Sequence, residues 1–390
     1  MNIGIFTDTY FPQISGVASS VKTLKEALEE QGHNVFVFTT TDPHVAKGTV
    51  EANVFRFSSM PFISFTDRRI AYRGFFEATK VAREVNLDVV HTQTEFALGM
   101  IGKYVAHQLK IPAIHTYHTM YEDYLHYVLN GHLLRPYHVK QFTSVFLKNM
   151  DGVIAPSMRV EKLLKRYKIS IPMEVIPTGV DVKSFNQPAT HDVRRELGIE
   201  PDVPVLLTLS RIAGEKKIDR ILNVMTEVVD EFPRAQLVIA GGGPDVEVLQ
   251  DQVERLTLED NVIFAGDVPH SDVGSFYQMA DLFVSASDTE TQGLTYIEAL
   301  AAGTKCVVYD TDYTEQIFDD LAFGQVFTRP SDMRDEILFY LKEEKTAIPA
   351  EKLEAKLKQI SAERFGEKVH QFYEEVIANY QEDPKEDTND

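Results

Sequence analysis

Two glutamates, Glu290 and Glu298, stand eight positions apart in the stretch DTETQGLTYIEALAAG (288–303), with Gly293 between them. The apolar run DLFVSAS before it reads as a strand and LTYIEALAAG as a helix, so the pair brackets a strand-to-helix turn. In open α/β sheets, ligands bind beyond the carboxyl ends of the strands, where helix N-termini present unpaired N–H groups. The amides of Gly293, Leu294 and Thr295 are expected to face an anion there, and a glycine lets the backbone come close to it. Glu298, one turn into the helix, is expected to have both oxygens free to accept from a vicinal diol such as ribose. Glu290, in the loop, can accept from a second polyol. Carboxylates do not attract phosphate, so two of them flanking an anion site imply a sugar at each end. That describes a nucleotide sugar. The alternative for an isolated pair is a capping Glu290 and a solvated Glu298.

A second segment supplies the positive charge. TLSRIAGEKKID places Arg211 and Lys216 just past the strand VPVLLTLS. Two cations at a strand end can neutralise a diphosphate and stabilise it as it departs, work that a metal would otherwise do. IAGGGPD (239–245) is a glycine-rich turn on the same edge. It lacks the G-x-G-x-x-G order with a later acidic residue, which disfavours a dinucleotide dehydrogenase.

The elements that must carry these residues follow from the whole chain. Its 390 residues are too many for one compact core and fit two domains. With 44% apolar and 25% charged residues, the composition is that of a globular protein. The one cysteine, Cys306, excludes an internal disulfide or a cysteine-held metal cluster and fits a reducing cytosol. No basic n-region with an apolar core opens the sequence, and no run of 18 uncharged apolar residues occurs, so neither a signal peptide nor a membrane span is expected. The net charge of −20 argues against a nucleic-acid binder. That charge is uneven: residues 1–180 carry +3 and residues 181–390 carry −23.

Strand–helix units run through the first half (NIGIFTD, NVFVFTT, LDVVHTQ, IPAIHTYHT, DGVIAPS, MEVIPTGVD) and restart in the second (VPVLLTLS, AQLVIAGGGP, NVIFAGDV, DLFVSAS, TKCVVYD). The fold class is therefore α/β, two tandem Rossmann-like domains. The expected divisions are 1–178, an acceptor-binding domain; 179–362, a nucleotide-sugar domain; 363–380, a helix packing back on the first domain; and 381–390, an acidic tail.

In order and spacing, SRIAGEKKID, IAGGGP, VIFAGDV and TETQGLTYIEALAAG, with FPQISGVASSV and HTYHTMYEDY upstream, resemble retaining glycosyltransferases of the GT-B fold, family GT4. Within that group the chain looks most like bacterial diacylglycerol glucosyltransferases. The resemblance implies a donor cleft between the domains, with Arg211 and Lys216 on the donor diphosphate and Glu298 on the ribose. It also implies Glu290 on the hexose, His118 beside the sugar, and Gly16 where the first loop nears the phosphates. The catalytic set would be His118, Glu290, Arg211 and Lys216, with UDP-glucose as donor and no cofactor or metal. Two departures stand out: Ser15 precedes Gly16 where the family has a second glycine, and YDTDYTEQI replaces a Gly-Gly-x-x-Glu loop. Asp310 and Asp312 match an Asp-x-Asp metal motif of another transferase fold, but after a late strand they read as a loop and helix cap. Retention is implied by the resemblance alone.

For the acceptor, residues 135–168 hold eight basic and two acidic residues, with Phe142, Val145, Phe146 and Leu147 between Lys140 and Lys148. MPFISFTDRRIAYRGFF (60–76) repeats the theme, with Phe62 and Phe65 beside Arg68, Arg69 and Arg73. Basic amphipathic segments on an acidic protein suit an anionic membrane surface, where each cation contributes about 1 kcal/mol. The expected partners are thus a nucleotide sugar, a lipid acceptor such as 1,2-diacylglycerol and the inner face of the cell membrane, without nucleic acid. A sugar-nucleotide epimerase, a non-catalytic sensor, or a transferase acting on a glycolipid, wall polymer or soluble acceptor are the competing readings.

Overall fold

The computed structural model describes residues 1–13, 15–46, 49, 51–62, 65–122, 135–343 and 347–382. Asp123 and Tyr124 of the histidine motif, the side chains of Phe62, Phe65 and Arg68, and residues 383–390 of the acidic tail lie outside that description.

Two compact units form, residues 1–179 with 362–390, and residues 180–361. The first contains β1 (Asn2–Phe6), α1 (Gly16–Glu30), β2 (Asn34–Thr40), β3 (Val54–Phe57), β4 (Ser59–Phe62), β5 (Phe65–Ala71), α2 (Phe75–Glu84) and β6 (Val89–Thr92). It continues with α3 (Ala97–Leu109), β7 (Ala113–Thr116), α4 (Pro136–Leu147), β8 (Gly152–Ala155), α5 (Met158–Arg166) and β9 (Met173–Val175). The second holds α6 (Val182–Phe185), α7 (Val193–Glu196), β10 (Val205–Leu209), α8 (Ile218–Glu231), β11 (Gln236–Ala240), α9 (Val246–Arg255), β12 (Val262–Gly266) and α10 (Val273–Met279). There follow β13 (Leu282–Ser285), α11 (Leu294–Ala301), β14 (Lys305–Tyr309), α12 (Thr314–Ile317), β15 (Gly324–Phe327), α13 (Pro330–Lys342) and α14 (Ala350–Ile360). The last helix, α15 (Ala362–Glu382), returns to the first unit.

Among the described residues, unit 1 carries a seven-stranded sheet in the order β3-β2-β1-β6-β7-β8-β9, and unit 2 a six-stranded sheet in the order β12-β11-β10-β13-β14-β15. Every neighbouring pair in both is parallel. The strands read as unbroken apolar runs because both sheet faces are covered. In β10, Val205 and Leu207 enter one core and Leu206 enters the other. In β1, Ile3 and Ile5 pack with Phe365, Val369, Phe372 and Tyr373 of α15, whereas Phe6 packs with Leu98 and Ile101 of α3.

These alternations locate the crevices. In unit 1 the helix after β1 and the helix after the adjacent β6 pack on opposite faces, and in unit 2 the same holds for the helices after β10 and β13. Neighbouring parallel strands whose connections leave in opposite directions open a gap at their carboxyl ends, the usual ligand position of such sheets. Residues 7–13, Ser15 and 93–96 border this gap in unit 1; residues 210–217 and 286–293 border it in unit 2.

One basic-aromatic stretch is paired as strands. Residues 59–62 and 65–71 form the antiparallel pair β4–β5, apart from the main sheet, and Phe75 and Phe76 open α2. Arg69 is engaged locally, donating to the Ser59 hydroxyl and carbonyl at 2.8 Å each. A period-2 strand and a basic-aromatic surface segment share the same composition, and only pairing separates them.

Candidate active site

The loop after β10 is fastened on both sides. On the glycine-rich side, Ser210 donates its amide to Ala240 at 3.1 Å, and Ile212 donates to Gly242 at 2.8 Å. Gly241 has φ +122°, and a Cβ there would lie 2.0 Å from the Ser210 carbonyl oxygen, so only glycine allows the turn to close this tightly. On the other side, the Ser287 hydroxyl donates to the Glu215 carbonyl at 3.2 Å and Arg220 reaches Asp288 at 3.3 Å. Lys216 Nζ donates to Glu290 Oε1. Arg211 is exposed. Arg211, Lys216, Glu290 and the start of α11 thus gather at one sheet edge.

Lys216 and Glu290 were assigned separate tasks from sequence, diphosphate and hexose; the fold pairs them with each other. Both side chains are about one-fifth exposed, so neither charge could stand alone there at low cost. Glu290 does not cap α11. The N-cap is Gly293 at φ +86°, which has no side chain to bond the first turn, and the amides of that turn, Leu294 and Thr295 among them, have no partner within the helix. The space beside Gly293 is taken by Tyr296, whose ring a Cβ would meet at 2.3 Å. The glycine is therefore required by the helix's own packing as well as by any ligand.

Glu298 corrects the expectation of two free oxygens. Its Oε2 accepts from Tyr277 Oη at 2.9 Å, because α10 packs on α11 and the fully buried phenol needs an acceptor. Oε1 remains for a ligand. Burial pushes the Glu298 carboxyl up to about 7, and the Tyr277 hydrogen bond offsets part of that rise. The Asp310–Asp312 stretch is a loop leading into α12, as expected: the Thr311 hydroxyl accepts from the Thr314 amide at 3.1 Å, and Asp310 Oδ1 is buried without a hydrogen-bond partner. Among the described residues no group of three His, Cys, Asp or Glu side chains could hold a metal.

In unit 1, Gly16 is the first residue of α1, capped by Ser15, which accepts from the Ala18 amide at 3.1 Å. No atom lies within 4 Å of where a Gly16 Cβ would stand, so the approach to this helix start is open. His118, two residues past β7, is partly exposed and hydrogen-bonds through Nε2 to Gln93 Oε1 at 2.6 Å. Burial, then the neighbouring His115, lowers its pKa to about 3, so the imidazole is neutral near pH 7.

Residues 14–184 match Glycosyltransferase Family 4, and residues 190–364 match Glycosyl transferases group 1. The alpha-monoglucosyldiacylglycerol synthase of Streptococcus pneumoniae is 45% identical over 100% of this chain and 89% of its own length. The Acholeplasma laidlawii protein of the same name is 34% identical over 85% of this chain and 86% of its own. The chain belongs to glycosyltransferase family 4. As a family-4 member it is a glycosyltransferase, and the epimerase reading finds no support. A sucrose-phosphate synthase from Thermosynechococcus elongatus shares the two-sheet architecture, with a TM-score of 0.77 over 97% of this chain and 99% of that chain at 21% identity.

Sequence reasoning missed three residues that touch the candidate site residues: Tyr277 on Glu298, Tyr296 on Gly293 and Gln93 on His118. Tyr277 sits in a helix with no motif to mark it, and Tyr296 lies within the LTYIEALAAG helix without a signal that separates it from the core. Gln93 had a signal: β6 ends in a run of polar residues, HTQTE, with no solvent to hold them.

Proposed function

We propose that this glycosyltransferase moves glucose from UDP-glucose to the free hydroxyl of 1,2-diacylglycerol at a membrane surface, with retention of configuration. The observation that carries it is the gathering of Arg211, Lys216, Glu290 and the uncapped start of α11 at one edge, in a chain whose full-length relatives bear the name alpha-monoglucosyldiacylglycerol synthase. Ribose hydroxyls would donate to Glu298, and the diphosphate would take up the Lys216 ammonium, the Arg211 guanidinium and the Leu294 and Thr295 amides. As the bond from the anomeric carbon to the phosphate oxygen breaks, negative charge grows on that oxygen, where these donors stabilise it. The same oxygen takes the acceptor's hydroxyl proton while the acceptor oxygen bonds the anomeric carbon on that face. Glu290 and the neutral His118 orient the hexose hydroxyls.

Because two cations and a helix start supply the leaving-group charge, no metal is required. Turnover with UDP-glucose and diacylglycerol liposomes should be unchanged in excess EDTA; loss of activity restored by a divalent cation would overturn this. Absence of product from diacylglycerol, with transfer to a glycolipid or a soluble acceptor instead, would overturn the acceptor assignment.

Unit 1 supports the membrane reading. Phe146 and Leu147 of α4 are buried in the core, contrary to the expectation that they join the surface, but Phe142 and Val145 are exposed. Phe142 lies 6.2 Å from Phe96 at the start of α3, and Phe75 of α2 meets Tyr104 of α3 at 5.3 Å. With Phe76 84% and Val145 71% exposed, apolar groups project from α2, α3 and α4 beside Arg73 and Lys148. Surface apolar groups on neighbouring elements suit a peripheral membrane contact. Among the described residues no helix is long and apolar enough to cross a bilayer. Replacing Phe76 and Val145 together with serine is expected to reduce partition onto anionic diacylglycerol liposomes by at least about tenfold, since each buried apolar side chain contributes about 1.5–3 kcal/mol. UDP affinity should stay unchanged. Equal flotation of both proteins would count against this surface.

A further inference from the structure

His91, Gln93 and Glu95 at the end of β6 are buried to within 3% exposure. Polar groups so placed must be hydrogen-bonded or they destabilise the fold. Gln93 stands between two imidazoles: its Oε1 is 2.6 Å from His118 Nε2, and its Nε2 is 3.1 Å from His91 Nε2. Thr116 Oγ1 lies 2.7 Å from that same His91 nitrogen. On its other side, His91 Nδ1 is 2.6 Å from Tyr373 Oη, which α15 delivers into the sheet. Burial holds the His91 pKa well below its usual value, so this ring is neutral.

A primary amide has one accepting end and one donating end, and it cannot offer the same role to both neighbours. It therefore couples the two rings. With the oxygen toward His118, that ring must carry its proton on Nε2. The amide N–H and the Thr116 hydroxyl then share the single lone pair on His91 Nε2, whose Nδ1–H donates to Tyr373. The shorter contact, 2.6 Å, lies nearer to an N–H···O distance than the longer one, 3.1 Å, which places the amide oxygen toward His118 and the amide nitrogen toward His91. Tyr373 and Thr116 hold His91 from two sides, so the amide cannot rotate without disturbing bonds in a buried cluster.

We propose that Gln93, braced by His91 and Tyr373, is a positioning residue that fixes His118 as its Nε2–H tautomer and so leaves Nδ1 as an acceptor for a hydroxyl of the donor sugar. Among the described residues His118 Nδ1 has no other partner. A sugar hydroxyl that donates to this nitrogen is held by its proton, which keeps its oxygen lone pairs for other donors. A ring of the opposite tautomer would present N–H there and turn the hydroxyl around. The inference rests on the reading that His118 contacts the sugar.

The test is the ring nitrogen spectrum of the full-length protein labelled with [15N]histidine, with the His118 signals assigned by their loss in His118→Gln. The wild type is expected to show His118 protonated at Nε2 and unprotonated at Nδ1. Gln93→Leu should shift both signals toward the average of two tautomers and lower kcat about 10- to 100-fold, the usual cost of losing an orienting partner. UDP affinity should stay unchanged, and unmoved signals of the histidines in residues 1–179 that lie away from Gln93 report that the unit carrying it keeps its fold. Gln93→Glu keeps an oxygen facing His118 and should restore Nε2 protonation and part of kcat. A wild-type ring protonated at Nδ1, or His118 signals unmoved in Gln93→Leu, would overturn the proposal. Unchanged kcat in His118→Gln would instead remove the sugar contact on which it rests, whatever the spectra show.

Discussion

Replacing Lys216 with alanine is expected to lower kcat by about 10²–10³-fold while changing the affinity for UDP by less than about tenfold. The asymmetry follows from where charge develops. The diphosphate is already anionic when the nucleotide sugar binds, but it gains negative charge as the glycosidic bond breaks, so a cation beside it matters more in the transition state than in the ground state. Arg211→Ala should show the same pattern, because the guanidinium stands at the other end of the same loop. Lys216 carries a second role that Arg211 does not. Its ammonium holds Glu290, so its removal leaves a largely buried carboxylate without that counter-ion. Combining Lys216→Ala with Glu290→Gln should therefore cost less than the product of the two single effects. Steady-state kinetics of the four proteins measure this, and an unchanged kcat in Lys216→Ala would remove the leaving-group assignment.

UDP should bind more tightly as pH rises through about 7. Burial holds a proton on Glu298 to well above its ordinary range, and ribose hydroxyls need the carboxylate as acceptor. If binding requires the ionised form, the dissociation constant should fall about tenfold between pH 6 and pH 8, beyond any change due to the nucleotide's own titration. Glu298→Gln, which cannot titrate, supplies that baseline. At pH 8, Glu298→Ala should weaken UDP by about 10- to 100-fold, the range for hydrogen bonds to a charged group. Stability runs the opposite way over this window. A folded-state pKa above the unfolded one contributes stability that is fully present below about 4.5 and lost as pH rises through about 7. Calorimetric titration across the range decides the matter: wild-type and Glu298→Gln profiles of equal slope would exclude Glu298 as the ribose acceptor.

Much of this architecture could be read from composition and period. The runs VLLTL and QLVIA are apolar at all but one position each because a parallel sheet with helices on both faces hides both sets of side chains, and that pattern needs no knowledge of partners. The turn at Gly293 was legible for a similar reason. A strand followed by a glycine and a helix start is a local event, and the glutamates on either side of it are local as well. β4 and β5 were not legible, since alternating aromatic and basic residues satisfy both a strand and an amphipathic surface until pairing chooses. Val145 and Phe146 are adjacent on α4, yet one is surface and the other core, because the helix buries one face only, with Val139, Thr143, Phe146 and Leu147.

By itself, then, the order of residues determined the two sheets, the edge at which a ligand would sit, and the residue types that would meet a nucleotide sugar. Those properties depend on neighbours in the chain, whose spacing geometry is set by the strand and helix periods. What only the tertiary structure decided is which polar atoms are already engaged. Tyr277 occupies one oxygen of Glu298, Lys216 holds Glu290, and Gln93 joins His118 to a ring braced by the last helix. Each of these contacts joins residues separated by 21 to 282 positions, apart from the two-residue step between Gln93 and His91. The reason is that a hydrogen bond is satisfied across a few ångströms of space, and which distant side chain arrives there is chosen by how the helices pack on the sheets.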